Sequence, residues 1–191
     1  GFNVMFGYAG ALSFGHAAFL GIGAYGCGIA FAKFGVHWLP SIAIGIVIAT
    51  ALAFVIGYLA IRTRGIYFAM VTLALSQLVY YAVFQMRELT GGDDGLRGVN
   101  LSKINLLGLE FNFLNPTVRY YVIAVFVLFA LWILSRVLLS PFGAVLEGQR
   151  ENEQRARASG YNISRVRLIA FTLSGSICGL AGALYALHLS V

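Results

Sequence analysis

Charged residues are scarce in this sequence, and its long apolar segments contain none. Asp, Glu, Lys and Arg make up 10% of the 191 residues, whereas apolar residues make up 60%. Five segments lack all four charged types: residues 1–32, 34–61, 65–86, 120–135 and 168–191. About 20 apolar residues in a helix span a bilayer core, and a spanning segment must satisfy its own backbone hydrogen bonds. Because the segments also lack the alternating polarity of barrel strands, the sequence predicts an all-α integral membrane protein, a polytopic transmembrane helix bundle with about five spans.

The apolar segments contain no carboxylates, and the chain has only two cysteines, so several function classes are not expected. A secondary transporter or channel for a small polar solute is the main alternative function, but coupling to Na⁺ or H⁺ favours intramembrane carboxylates, and the five segments have none. They also lack an HExxH motif, paired carboxylates and a Ser–Lys arrangement, so we expect no enzyme activity and no metal site in this chain. Cys27 and Cys178 both lie in apolar segments, which favours buried packing residues over a disulfide framework.

The net charge of +6 is explained by where the basic residues lie rather than by nucleic-acid binding. Arginine and lysine flank the apolar segments, as the positive-inside bias and contact with lipid headgroups predict. If the break near residue 63 and residues 136–167 face the cytoplasm, eight of the 13 basic residues lie inside. The chain begins with Gly1 and stops inside an apolar segment, so we expect part of a longer membrane domain, and the first span lacks the flanks of a signal peptide.

The first apolar segment is longer than one span and rich in glycine. Interior glycine costs about 1 kcal/mol of helix propensity relative to alanine, which favours a helix broken around residues 8–16, with its second piece starting near Ser13. Irregular backbone at membrane depth occurs where protein buries it or where it lines a water-filled cavity, so residues 7–24 are the best indication of a pathway. The alternative is one long tilted helix. Small residues four apart predict close helix packing, and the pairs are Ala11/Gly15, Ala17/Gly21, Ala24/Gly28 and Gly175/Gly179.

The longest polar stretch between apolar segments, residues 87–119, predicts an outer loop. Its motif LTGGDDG, residues 89–95, has turn chemistry and lacks the ligand spacing of a calcium loop. Residues 104–113 predict a small hairpin around Gly108.

Residues 140–167 form a charged island with five Arg and three Glu. Ser140 and Pro141 are typical of a helix start, Gly160 of a left-handed helix end, and Ser164 is placed to cap the last span. Glu151 with Arg155, and Glu153 with Arg157, have the favoured spacing for helical ion pairs. The pattern predicts a short helix at the membrane surface that docks on another protein; a solvated basic loop is the alternative.

Several blocks of the chain, in order, resemble branched-chain amino-acid ABC transporter permeases of the LivM type. They are GYAGALSFGHAAFLGIGAY at 7–25, RGIYFAMVTLA at 64–74, LTGGDDGLRG at 89–98, RENE at 150–153, ASG at 158–160 and AGALY at 181–185. The resemblance covers nearly the whole chain and identifies residues 1–191 as part of a transmembrane permease domain.

The resemblance implies a bacterial inner-membrane permease that forms half of a pore with a homologous second permease. Two ATPase subunits would bind ATP and Mg²⁺, so no cofactor is expected in this chain, and a periplasmic binding protein would deliver substrate. Residues 87–119 would then be periplasmic and 140–167 a cytoplasmic coupling loop. Urea, amides or aromatic acids are alternative substrates to branched-chain amino acids. The residues expected to couple to the ATPase are Arg150, Glu151, Glu153, Arg155, Arg157 and Gly160.

Five polar residues in the spans are candidates for the substrate pathway. Intramembrane ionisable groups are functional hypotheses by default, and His16 is the one ionisable residue among Asp, Glu, Lys, Arg and His in the first segment. A structural role is the alternative, in which His16 hydrogen-bonds across the break to Ser13. Thr72, Ser76 and Gln77 lie mid-span and either join helices or line a path for a zwitterion.

Overall fold

The computed structural model describes residues 1–92, 104–106, 109–111 and 115–189. A π-helical turn, Val4–Tyr8, comes first. The α-helices are α1 His16–Ala32, α2 Trp38–Ala60, α3 Ile66–Gln85, α4 Arg87–Thr90, α5 Pro116–Leu138, α6 Pro141–Glu151, α7 Glu153–Ala158 and α8 Ile163–Leu189, and the strands are β1 Ile104–Leu106 and β2 Leu109–Phe111. Helices α2, α3, α5 and α8 are long and apolar enough to cross a membrane, and α1 is a shorter apolar helix of 17 residues. The predicted polytopic helix bundle is confirmed.

The first apolar segment is broken, as one of its two interpretations predicted. The π-helical turn ends at Tyr8, residues 9–15 form no regular helix, and α1 begins at His16. Gly10 has a φ of 65°, a left-handed conformation that glycine adopts without steric cost. Residues 9–15 are called the helix break below. The alternative of one long tilted helix is therefore wrong.

Helices α1, α2 and α8 form the core through glycine contacts. A Cβ on Gly182 would lie 1.9 Å from the Leu20 carbonyl oxygen, and one on Gly23 would lie 2.2 Å from the Gly179 carbonyl oxygen. On the α2 side, a Cβ on Gly175 would lie 2.3 Å from the Ala53 Cβ. The pair Gly175/Gly179 thus packs closely, as its spacing predicted. Among the residues that the structure describes, none from another helix lies within 4 Å of a Cβ placed on Gly21 of the pair Ala17/Gly21.

Helix α5 lies outside this core. None of its residues is buried, and Trp132 and Phe129 stack on its exposed face with ring centroids 6.1 Å apart. An apolar helix with no buried residue is compatible with a lipid environment, in which exposed apolar side chains carry no hydrophobic cost.

The charged island contains two helices rather than the single short helix predicted. Asn152 adopts an extended conformation with φ −150° and ψ 97°, which ends α6, and its side-chain oxygen then accepts a hydrogen bond of 2.9 Å from the Arg155 amide to start α7. Asparagine is among the best N-cap residues because its side chain competes with the helical backbone. The interruption at Asn152 separates Glu151 from Arg155, and no salt bridge joins these two within the described residues. Arg157 and Glu153 do pair, at 2.7 Å.

The end of α7 and the start of α8 follow capping chemistry, with one correction. Gly160 has a φ of 86°, and its amide and that of Tyr161 bond back to the Arg157 and Ala156 carbonyls, which is the Schellman motif expected at a glycine helix end. The cap of the last span is Asn162, whose side chain accepts from the Arg165 amide at 3.2 Å. The prediction that Ser164 caps this span is wrong, because α8 already begins at Ile163.

Contacts between the connecting segments place them at two ends of the bundle. Arg64, between α2 and α3, pairs with Glu153 of α7 at 3.1 Å, so the basic break near residue 63 and the charged island share one end, as the charge distribution predicted. At the other end the Lys33 ammonium donates to the Glu88 carbonyl. The predicted hairpin is also confirmed, with Ile104 paired to Phe111 and Leu106 to Leu109, although Gly108 itself lies outside the described residues.

We predict that Gly182→Ala destabilises the bundle, whereas Gly21→Ala does not. The added methyl at Gly182 clashes with backbone, and overpacking of this kind costs about 1–3 kcal/mol or more. The matched methyl at Gly21 has open space and improves helix propensity by about 1 kcal/mol. Thermal unfolding of both variants in the same detergent checks this; equal midpoints would contradict the glycine contact.

Candidate functional site

The helix break is held by a hydroxyl from α3 and by one of its own hydroxyls. The Thr72 hydroxyl on α3 accepts a hydrogen bond of 3.2 Å from the Phe14 amide and donates one of 2.9 Å to the Ala69 carbonyl of its own helix. The Ser13 hydroxyl accepts one of 3.2 Å from the Gly15 amide. Both hydroxyls are fully buried. Because the break lacks helical hydrogen bonds, these side chains satisfy amides that hydrocarbon would otherwise leave unpaired.

His16 joins the start of α1 to the middle of α8. Its Nε2 lies 2.8 Å from the Ser174 hydroxyl, which donates to the Gly1 carbonyl at 2.7 Å, and its Nδ1 lies 3.3 Å from the Ser13 carbonyl. With the hydrogen on Nε2, the ring donates to Ser174 and Ser174 donates to the Gly1 carbonyl; Nδ1 and the Ser13 carbonyl are then both acceptors, so their contact is not a hydrogen bond. This arrangement favours the structural role of His16.

Aromatic rings enclose the same imidazole. Phe2 meets it edge-on with centroids 5.2 Å apart, and Phe19 and Phe171 lie at 5.9 and 6.1 Å. Edge-to-face geometry is the favoured one for such pairs. His16 is thus packed as well as hydrogen-bonded, and its part in a substrate pathway stays a prediction.

The other two candidate pathway residues lie apart from this cluster. Ser76 and Gln77 line a cavity of about 290 Å³ between α1 and α3, together with Ala17 and Gly21. The Ser76 hydroxyl donates to the Leu73 carbonyl of its own helix at 2.7 Å, and Gln77 is exposed. The structure therefore brings Ser13, His16 and Thr72 together and leaves Ser76 and Gln77 at a second place.

Sequence reasoning missed the hydroxyls of the last span. Ser174 completes the His16 network, and Ser176 accepts a hydrogen bond of 2.9 Å from Thr50 on α2. The available signal was the pair of serines two residues apart within an apolar segment, since intramembrane hydroxyls often join helices. Their partners were not visible because they lie 158 and 126 positions away in the chain.

The island touches the helix break through Arg150. The guanidinium of this last-turn residue of α6 donates to the Gly7 carbonyl, and its Cγ lies 2.9 Å from where a Cβ on Gly10 would be. Gly10 thus leaves room for the stem of the arginine. Leu146 and Gln149 of the same helix are buried, so α6 docks on the bundle rather than standing free in solvent.

Glu153 lies at the centre of an arginine hub, defined as Glu153 with Arg64, Arg157 and Arg167. Its carboxylate lies 3.1, 2.7 and 3.0 Å from the three guanidiniums in that order. Burial raises the pKa of this carboxyl, but Arg167, Arg64 and Arg157 together outweigh it, so the pKa is lowered overall. The hub ties α7 to the α2–α3 turn and to α8. Glu151, Arg155 and Gly160 remain exposed on the island.

We predict that Glu153→Gln lowers stability at neutral pH and that the difference from the unmodified chain narrows in acid. A carboxyl with a lowered pKa contributes stability above its unfolded pKa, and the contribution disappears as pH falls through the folded pKa. Partly exposed pairs contribute about 0.2–1 kcal/mol each. Thermal unfolding at pH 7 and pH 3.5 checks this against Glu147→Gln, an exposed glutamate of the same island. A pH-independent difference would contradict the hub's ionisation.

Comparisons with known proteins agree with the observed architecture. The family described as branched-chain amino acid transport system / permease component matches residues 1–191. The high-affinity branched-chain amino acid transport system permease protein LivM of Escherichia coli K12 is 32% identical over 207 residues, and its counterpart in Salmonella typhimurium LT2 is 31% identical. A probable branched-chain amino acid transport permease protein LivM of Methanocaldococcus jannaschii is 28% identical over 223 residues.

Each alignment covers 97% of this chain, with 48% of the two bacterial proteins and 62% of the third. The chain therefore spans about half the length of the first curated relatives it matches, 48% in each case. No solved structure matches it. Because the family match runs from the first residue to the last, the chain belongs to the branched-chain amino acid transport permease family.

Proposed function

We propose that this chain is a permease subunit of an ATP-driven importer and forms half of its translocation pore. Branched-chain or related amino acids are the proposed substrates, since the relatives' names state branched-chain amino acid transport. The ATP-hydrolysing subunits are proposed to be separate chains, so this chain transmits a conformational change and performs no chemistry. Urea, amides and aromatic acids remain alternative substrates.

The observation that carries the proposal is the contact of Arg150 with the helix break. A surface helix that couples a pore to separate ATPase subunits needs direct contact between the surface that binds them and the irregular backbone in the membrane. Arg150 supplies this contact, because it belongs to α6, binds the Gly7 carbonyl in the π-helical turn and packs its stem on Gly10 of the break. A displacement of α6 is therefore transmitted to the break without passing through an intervening element.

Some charged residues of the island bind other parts of this chain, and others are exposed to solvent. Arg150, Glu153 and Arg157 are engaged within the chain. Glu151 and Arg155 are exposed and form no salt bridge among the described residues, so they are the residues we assign to the ATPase surface. In this arrangement the ion pairs of the hub make α7, the α2–α3 turn and α8 move together when a conformational change of the ATPase displaces the island.

The remaining parts of the proposed complex follow from the two ends of the bundle. The end with Arg64 and the island is the cytoplasmic end, as the positive-inside rule indicates, and two ATPase subunits with ATP and Mg²⁺ would dock there. The end with residues 87–119 would face the periplasm and a binding protein. A homologous second permease in the inner membrane would complete the pore.

We predict that Arg155→Glu abolishes co-purification of the ATPase subunits with the tagged full-length protein. The change reverses the charge of an exposed side chain outside the hub, so folding should be unaffected. The matched control is Arg136→Glu, which reverses an exposed arginine on α5 that lies over Trp132 at 5.7 Å. Equal loss in both variants would indicate nonspecific electrostatics. Failure of the unmodified protein to bring down any ATPase, while the second permease assembles, would overturn the importer proposal.

We predict a different defect for Arg150→Ala, in which the ATPase remains bound but uptake is uncoupled from it. Coupling energies between sites correspond to about 5–150-fold effects, so uptake per ATP hydrolysed in proteoliposomes should fall within that range. Arg165→Ala, an exposed arginine at the start of α8, is the control and should retain full coupling. Normal uptake by the Arg150→Ala complex would show that the contact with Gly7 transmits nothing.

A further inference from the structure

A cavity of about 740 Å³ lies between the helix break, the α2–α3 turn and α3. Its volume is in the range of small-molecule sites. The break contributes residues 10–12 and Phe14, and the turn contributes Thr63 and Arg64. Glu153 and Arg167 of the hub line its polar end. The cavity is separate from the His16 network and from the cavity that Ser76 and Gln77 line.

The polar end of the cavity carries excess positive charge. Three guanidiniums surround one carboxylate in the hub, so the four side chains have a net charge of +2. The three that line the cavity, Arg64, Glu153 and Arg167, have a net charge of +1. Arg64 is 62% exposed, and the buried Nε of Arg167 has no hydrogen-bond partner among the described residues. Donors remain unused there, and an anion would complement both the charge and the unfilled hydrogen bonds.

The rest of the cavity is apolar and runs along the membrane-spanning part of α3. Ile66, Met70 and Leu73 line it, and their spacing puts them on one face of the helix. These side chains are 67%, 57% and 45% exposed, so the cavity opens sideways from the bundle. From Ile66 to Leu73 a helix rises about 10 Å. The cavity therefore extends from a charged end at the membrane surface to hydrocarbon depth.

We propose that this cavity binds an anionic phospholipid, with its phosphate at Arg64 and Arg167 and one acyl chain along α3. The shape of the cavity favours a phospholipid over inorganic phosphate, although both carry the same anionic group. An acyl chain contacts about 10 Å of the apolar wall, whereas inorganic phosphate contacts none of it. Basic cavities between spans on the cytoplasmic side are typical sites for acidic headgroups. Because the break forms one wall, the bound lipid braces it. This site does not depend on which solute the protein transports.

The test is native mass spectrometry of the purified full-length protein with phosphatidylglycerol or phosphatidylcholine. Phosphatidylglycerol should bind preferentially, and Arg64→Gln should weaken it about fivefold, the effect of one surface charge. The matched control is Arg62→Gln in the same turn. Its guanidinium lies over the Tyr58 ring at 5.4 Å and hydrogen-bonds the phenol, away from the cavity. Arg62→Gln should bind like the unmodified protein.

A second variant separates the lipid from smaller anions. Met70→Trp fills the apolar wall and leaves the arginines in place, so it should abolish phosphatidylglycerol binding without changing the thermal unfolding midpoint of lipid-free protein. Equal binding of the two lipids, or equal effects of Arg62→Gln and Arg64→Gln, would overturn the proposal. So would displacement of the lipid by inorganic phosphate or by leucine, which would identify a site for a small anion or for a zwitterion instead.

Discussion

The backbone contact between α1 and α8 is the constraint on which the rest of the structure depends. Gly23 lies against the Gly179 carbonyl and Gly182 against the Leu20 carbonyl, at separations that exclude even a methyl group. Association between helices in lipid has no hydrophobic driving force and relies on such close packing. The contact also sets the distance between His16 and Ser174, so the hydrogen bond between these two side chains depends on the close approach of the two helices.

A broken helix in a membrane is tolerated only when its free backbone groups find partners. Here Thr72 from α3 binds the Phe14 amide and Ser13 binds the Gly15 amide. Arg150 binds the Gly7 carbonyl in the π-helical turn that precedes the break. The partners come from within the membrane and from its surface. The break is therefore connected to two regions at once, which is the physical basis of the proposed coupling between a surface helix and the pore.

The arginine hub shows how a charged segment is built into an otherwise uncharged protein. Glu153 is partly buried, and a single carboxylate would be unfavourable there; three guanidiniums lower its pKa and keep it ionised. The excess positive charge then remains available to an anion. The hub thus fixes the position of α7 and gives the polar end of the adjacent cavity its positive charge.

Much of this arrangement could be predicted from the residues. Apolar segments free of charge indicated the spans, the glycines of the first segment favoured a break, and Gly160 indicated a helix end, because backbone solvation and steric limits act locally. Local rules were insufficient at Asn152, whose cap divides the island into α6 and α7, and at Asn162, which replaces Ser164 as the cap of α8. At Asn152 the spacing of Glu151 and Arg155 had predicted a continuous helix, and at α8 the cap lies two residues before the predicted one.

The sequence by itself determined the lipid environment, the apolar segments that form the long helices, the charged end of the bundle and, by resemblance, the family. The tertiary structure alone decided which polar residues meet. Ser174 faces His16 and Glu153 faces Arg64 across long stretches of chain, and Ser76 lies apart from Thr72 although both are on α3. Hydrophobic patterning depends on each segment and its solvent, whereas a hydrogen bond or an ion pair depends on the packing of two segments, which no single segment encodes.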